Sequence, residues 1–426
     1  MKKLLITSQW AAMASCLVLV LSFERNSAAE VDFRTDINPA LLYFQAYQNM
    51  PQLNDEDTAH LFDFGPGGAW PDEQDERAIG LIKKYDNAFK LIRRAHLSRV
   101  PCDWGYDLSD GPEALLPGLA PAKRLAQVTR LRAQIALESN QFDALRDDFA
   151  AAYTLGRNLA KDRVLISDLV QIAIENILTS IVMENYYLLS ADQLDQLVAA
   201  MDAAPRRGTI ADTIPTEHHA FFRYFLRKVE GLIGETNGHN ELFWPRFAAF
   251  WNPLATENES GIGPEPSADR IQEAAGNKPA EVVRLLNEMP AFYAETTRIM
   301  ALPYLEFKQQ FPAYWTRITG SQNPFIKQLF TIFRNVRGKE FSAVVRLEMV
   351  RAAAAYKRGG MTALRAVPDP LVGGAFEFTR IQFEGVDRGF QLKSKEQFRD
   401  FDEVMIFLEK PGRHFRLDGK NAGTTR

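Results

Sequence analysis

The chain is poor in the residues that carry most chemistry. Its 426 residues hold two cysteines and six histidines. Cys16 lies in the N-terminal apolar run, so a processed chain keeps one thiol, Cys102, and no internal disulfide. Stability must then come from a packed core, and Cys102 reads as a small buried hydrophobe. No two histidines stand at His-x-x-x-His spacing, which argues against zinc. Neither a Gly-x-Ser-x-Gly elbow nor a phosphate-cradling glycine loop occurs. Basic residues number 50 against 54 acidic, so the clustered basic excess of a nucleic-acid footprint is missing. No cofactor, metal or nucleic-acid partner is expected. Past the N-terminus, no run reads as apolar enough to span a bilayer.

What is present begins at that N-terminus. Met1-Lys2-Lys3 precedes an apolar run over 4–23, and Ser27-Ala28-Ala29 puts small residues before Glu30. This is the layout of a secretory signal peptide, with cleavage expected between Ala29 and Glu30. Retention as an anchor is the alternative, because 4–23 is roughly the 20 residues that a bilayer needs. The chain is expected to be exported, touching a membrane only through this segment if it is uncut.

Periodicity predicts a mainly α protein: a multi-helix domain of helical hairpins with a small C-terminal β-containing unit. The divisions expected are a signal over 1–29, helices over 30–254, a polar linker over 255–278, helices packing on the first domain over 279–358, a β-containing unit over 359–412 and a frayed tail over 413–426. One long helix is expected to open at Pro71-Asp72, with Ile79, Ile82, Tyr85, Phe89 and Ile92 as its stripe. A hairpin is expected over 123–159, turning at Asn140-Gln141. The helix after it, capped by Ser167, is apolar on nearly every side through Val182, the pattern of a central buried helix. Ser190 and Gln193 have capping-box spacing. Residues 216–233 read as one helix, 237–253 as an irregular aromatic stretch, and 324–356 as two helices. Strands are expected within 375–383, 389–392 and 404–408.

The loop 98–121 holds the best surface candidate: Cys102, Asp103, Trp104, Tyr106, Asp107 and Asp110. Trp104 and Tyr106 offer flat apolar area, and the aspartates offer acceptors for a sugar or a cationic peptide. The competing reading is a structured loop whose Trp packs on helices while its aspartates make turns. Glu217-His218-His219 is the one histidine pair, with His218 on the apolar stripe of Phe222, Phe225 and Val229.

Three resemblances follow from these stretches. Phe142, Leu145, Phe149 and Ala152 make the second helix at 142–159 similar to that of a tetratricopeptide repeat, with Leu145 in place of the usual Ala and no second copy. Cys102-Asp103-Trp104-Gly105, Gly111-Pro112, Tyr356-Lys357-Arg358-Gly359 and Val367-Pro368-Asp369-Pro370 resemble uncharacterised exported helical proteins of planctomycete-type bacteria. That resemblance spans most of the chain and implies no activity. The end near Gly389-Phe390-Gln391-Leu392 is faintly similar to the C-terminal sheet of type II secretion pseudopilins, whose N-terminal helix is lacking. The expected function is a non-enzymatic binding or scaffolding protein of the bacterial envelope, with a protein, peptide or glycan partner. The alternative is a hydrolase of an envelope polymer with Asp103 and Asp107 in a cleft.

Overall fold

The computed structural model describes residues 34–62, 76–256, 267–383, 385–396 and 403–410. The signal segment with Ala29 and Glu30, the helix start at Pro71-Asp72 and the tail lie outside the described residues. What is described is mainly helical, with one three-stranded antiparallel sheet near the C-terminus.

The hairpin forms where its stripes predict it. Helices Leu119–Glu138 and Phe142–Leu159 bury Leu125, Val128 and Leu131 against Leu145, Phe149 and Leu155. Asn140 turns the chain with φ 56°, a conformation that Asn tolerates. The expected helix over 71–94 is instead two, Glu76–Lys83 and Asp86–His96, divided by a turn at Lys84-Tyr85. Ile82, Tyr85, Phe89 and Ile92 still share one buried face.

The central helix, Leu165–Asn185, packs against both hairpin helices and against the long helix Pro324–Arg365. Ile174, Leu178, Ile181 and Val182 are buried on it. It is also long and apolar enough to cross a membrane, contrary to the expectation that only the N-terminal run is. Two-thirds of its apolar window is covered by the rest of the protein, which is the condition of a core helix. Its start corrects the sequence reading. Ser167 is no cap; its hydroxyl donates to Asp162 at 2.7 Å. The first amides are held from outside the helix. Val164 N–H donates to Asp162 at 3.0 Å and Leu165 N–H to Glu217 at 2.9 Å. Ile174→Ala should cost about 2–5 kcal/mol in a denaturant melt, the range of buried aliphatic truncations. A loss under about 1 kcal/mol would place the helix at the periphery.

The capping box at Ser190 and Gln193 is realised. Residues 216–233 are not one regular helix. Ile210–Glu217 starts behind a second capping box, Thr209 with Asp212, and contains Pro215. A π-helical turn, His218–Phe222, then leads into Arg223–Thr236. The stretch read as irregular is also helical, Asn240–Thr256. Phe243, Trp244, Phe247 and Trp251 are buried along it, while Pro245 and Pro253 face solvent. Packing of four large rings outweighs the backbone bonds that prolines forgo.

Part of the expected linker is structured. Ala268–Ala274 is a helix that buries Ala268 and Ile271, and the Ala268 amide donates to the Asn252 side chain at 2.9 Å. The remainder, 257–266, lies outside the described residues. The two helices expected over 324–356 are one; within Pro324–Arg365 it is broken only further on, by a kink at Gly359 and Gly360 that a second, short helical segment follows.

Strands β1 (Glu377–Phe383), β2 (Val386–Lys393) and β3 (Val404–Leu408) pair in sequence order. Phe390 lies opposite Arg380 on one side and Phe407 on the other. Gly389, at φ 154°, has no space for a Cβ beside the Phe407 carbonyl. Phe390 and Phe407 pack edge-on to Tyr186 at the end of the central helix, at 5.4 and 5.5 Å. The sheet therefore continues the helical core.

Candidate functional site

The loop 98–118 is fastened along its first seven residues. Ser98 Oγ donates to the Ile37 carbonyl at 2.7 Å. Asn38 accepts from Asp103 N–H at 3.1 Å and donates to the Asp103 carbonyl at 2.6 Å. The same Asn38 oxygen caps the helix Pro39–Gln48. Trp104 is 5% exposed, and its indole N–H donates to the Asn158 carbonyl at 2.7 Å. Its ring lies between Tyr43 and Tyr106, at 5.5 and 5.8 Å. Trp104 thus offers no flat surface to a ligand. Cys102 is a buried free thiol, pushed up to about 12 by burial and so far from a reactive thiolate.

The aspartates stand outside this footing. Asp103, Asp107 and Asp110 are exposed. Asp103 accepts from Gly105 N–H at 3.0 Å, and Asp107 from Ser109 N–H at 2.9 Å, each closing its own turn. That hydrogen bond holds Asp107 below the usual carboxylate range. Of the six expected residues, Cys102 and Trp104 are buried and Tyr106 is half-buried at the base of the loop, while the three aspartates make an exposed acidic rim. Asp103 and Asp107, the carboxylates expected in a cleft, are both exposed.

A second constellation was not read from the sequence. It gathers charged side chains from the hairpin, the central helix, the connection 204–209 and the long helix. Arg157 and Arg207 both pair with Glu175, at 3.0 and 3.1 Å. Arg207 also reaches Glu340 at 3.4 Å, which contacts Arg337. Arg157 donates to the Tyr153 hydroxyl at 2.6 Å. Gln171 clamps Gly208, accepting from its N–H at 3.0 Å and donating to its carbonyl at 3.2 Å.

Beside this network Asp168 is 1% exposed, and neither carboxyl oxygen has a hydrogen-bond partner among the described residues. A Cβ on Gly208 would lie 2.5 Å from one of those oxygens, so the carboxyl is packed directly on the Gly208 backbone. Burial pushes Asp168 up to about 8, against the pull of Arg207. Burial also raises Glu217 to about 7 and Asp162 to about 6. The sequence signal was there: Asp168, Gln171 and Glu175 recur at steps of three and four, a polar stripe on an otherwise apolar helix.

The histidine pair does not join either cluster. His218 is half-buried and stacks on Tyr293 at 4.9 Å, while His219 is exposed. Among the described residues no group of three or more His, Cys, Asp or Glu is placed to hold a metal ion.

By its described residues the protein is a mainly α protein with a small C-terminal sheet. No protein-family model, no curated protein and no solved structure matches the chain.

Proposed function

We propose that the protein is a non-enzymatic binding or scaffolding protein of the bacterial cell envelope, exported through its N-terminal segment. Its recognition surface is the acidic rim of the loop 98–118. One observation supports this reading: the buried Trp104 fixes the loop, while Asp103, Asp107 and Asp110 stay exposed above it. Exposed carboxylates on an anchored loop meet the charges of a cationic peptide segment without first ordering the loop. The test is fluorescence anisotropy of a labelled Lys- and Arg-rich peptide with the full chain. The triple variant Asp103→Asn, Asp107→Asn, Asp110→Asn should bind about tenfold more weakly and melt unchanged, as rim charges behave. Equal binding by the triple variant overturns the reading.

A carboxylate-dependent hydrolase of an envelope polymer is the second reading. It is favoured by Asp168, Glu217 and Asp162, which burial moves into the range where general acids and bases work. It ranks second because Asp168 packs on Gly208, where a substrate atom would have to sit. Release of soluble fragments from peptidoglycan, lost in Asp168→Asn, would put this reading first.

A further inference from the structure

Asp168 is a buried carboxyl with no donor for either oxygen among the described residues, set under a short surface connection. The connection 204–209 runs between the helices Ala191–Ala203 and Ile210–Glu217. Arg206 on it is exposed, and Arg207, Gly208 and Thr209 are half-buried. Three attachments hold it down: Arg207 on Glu175 and Glu340, Gln171 on both polar groups of Gly208, and the close seat of Asp168 on Gly208. Two of these are polar bonds. The third is a carboxyl seated close against Gly208 with no polar bond to it, tolerable for a neutral acid and costly for an ion.

We propose that Asp168 and the connection 204–209 form a proton-released latch, in which loss of the Asp168 proton lifts Gly208 off the central helix and loosens Arg207 from Glu175 and Glu340. This device does not depend on the binding reading above. An ionised Asp168 needs donors or water, and the half-buried connection separates it from solvent. Lifting that connection admits water at the expense of the Gln171 and Arg207 bonds.

The charged groups facing Asp168 come from four elements. Arg207 on the connection favours the ion. Glu340 on the long helix, Asp162 in the turn before the central helix, and Asp212 on Ile210–Glu217 favour the neutral acid. Burial adds to the second group and dominates, placing release near pH 8. The sign follows. The native carboxyl keeps its proton to higher pH than the unfolded one, so its contribution to stability is complete below the ordinary carboxylate range. It is lost as pH rises towards about 8.

Trypsin cleavage after Arg206, followed by mass spectrometry of the full chain, tests the latch. The ionised fraction grows about tenfold between one pH unit below release and one above. Cleavage at Arg206 should therefore rise about tenfold over that interval relative to Asp168→Asn, which keeps a neutral side chain at every pH and cancels the protease's own pH profile. Gly208→Ala, whose Cβ would strike Asp168, should be cut fast throughout. Parallel pH profiles for wild type and Asp168→Asn overturn the proposal. If Asp168→Asn fails to fold, hydrogen exchange of wild type decides. Amides of 206–209 should exchange faster with pH beyond their intrinsic rates, and the absence of that excess overturns the proposal.

Discussion

Trp104→Ala should lower stability by about 3–5 kcal/mol, the range for a buried aromatic whose cavity cannot collapse. Three losses add up. The indole leaves an aromatic stack with Tyr43 and Tyr106, and it meets Phe44 edge-on at 5.5 Å. The Asn158 carbonyl loses its indole donor. The loop also loses the side chain that joins it to the far end of the hairpin. Trp104→Phe separates these terms. It keeps a ring in the stack but removes the N–H and shrinks the side chain, so it should cost less than the alanine variant and at least the roughly 1–3 kcal/mol of a buried acceptor left unpaired. Urea melts followed by circular dichroism read both values. A Trp104→Ala loss below about 1 kcal/mol would show that the loop is not anchored through this residue. The proposed recognition surface would then lose its rigid base.

Whether Trp104 faces in or out was the open question in the sequence, and spacing alone does not decide it. Loop residues lack a period, so nothing in 98–118 says which side chains turn inward. Elements with a period were legible. The hairpin stripes, the capping box at Ser190 and the alternation in β1 to β3 all lie where the pattern puts them. The misreadings share one cause, a local rule overridden by packing. Residues 237–253 read as an irregular aromatic stretch, yet four buried rings keep Asn240–Thr256 helical through Pro245 and Pro253. The small and polar residues of 267–278 suggested a linker, yet Ile271 finds a buried seat and brings a helix with it. Ser167 resembled a cap, but Asp162 and Glu217 already hold the first amides.

The charged centre escaped for a different reason. Arg157, Glu175, Arg207 and Glu340 are spread over more than 180 residues, and no local pattern joins them. Only the stripe Asp168, Gln171, Glu175 lay within reach. A row of polar side chains on an apolar helix must find partners in the interior, because an unpaired buried charge is too costly to keep. The same rule that finds apolar faces, applied to the polar residues of residues 165–185, would have pointed at the centre of the protein.

Glu175 is the residue on which that centre turns. Glu175→Gln keeps the shape of the side chain and removes the charge that buried Arg157 and half-buried Arg207 share. Breaking a buried pair from one side costs about 3–5 kcal/mol, since it leaves uncompensated charge rather than merely losing an attraction. Here the stranded groups are not without support. Arg157 keeps the Tyr153 hydroxyl and lies over its ring at 4.9 Å, and Arg207 keeps Glu340. A comparison on the same helix makes the estimate independent of its absolute scale. Glu184 pairs with one arginine, Arg130, through two hydrogen bonds at 2.9 and 2.6 Å, and is buried as well. Glu184→Gln takes the counter-charge from one guanidinium near the end of the helix, whereas Glu175→Gln takes it from two between the hairpin and the long helix. Glu175→Gln should therefore be the more destabilising in urea melts at neutral pH. The double variant Glu175→Gln, Arg207→Gln should recover part of the loss, because removing both partners removes the unpaired charge. If Glu184→Gln costs more, or the double variant recovers nothing, Glu175 is not the joint between these elements, and the long helix must be held to the central helix by its apolar contacts alone.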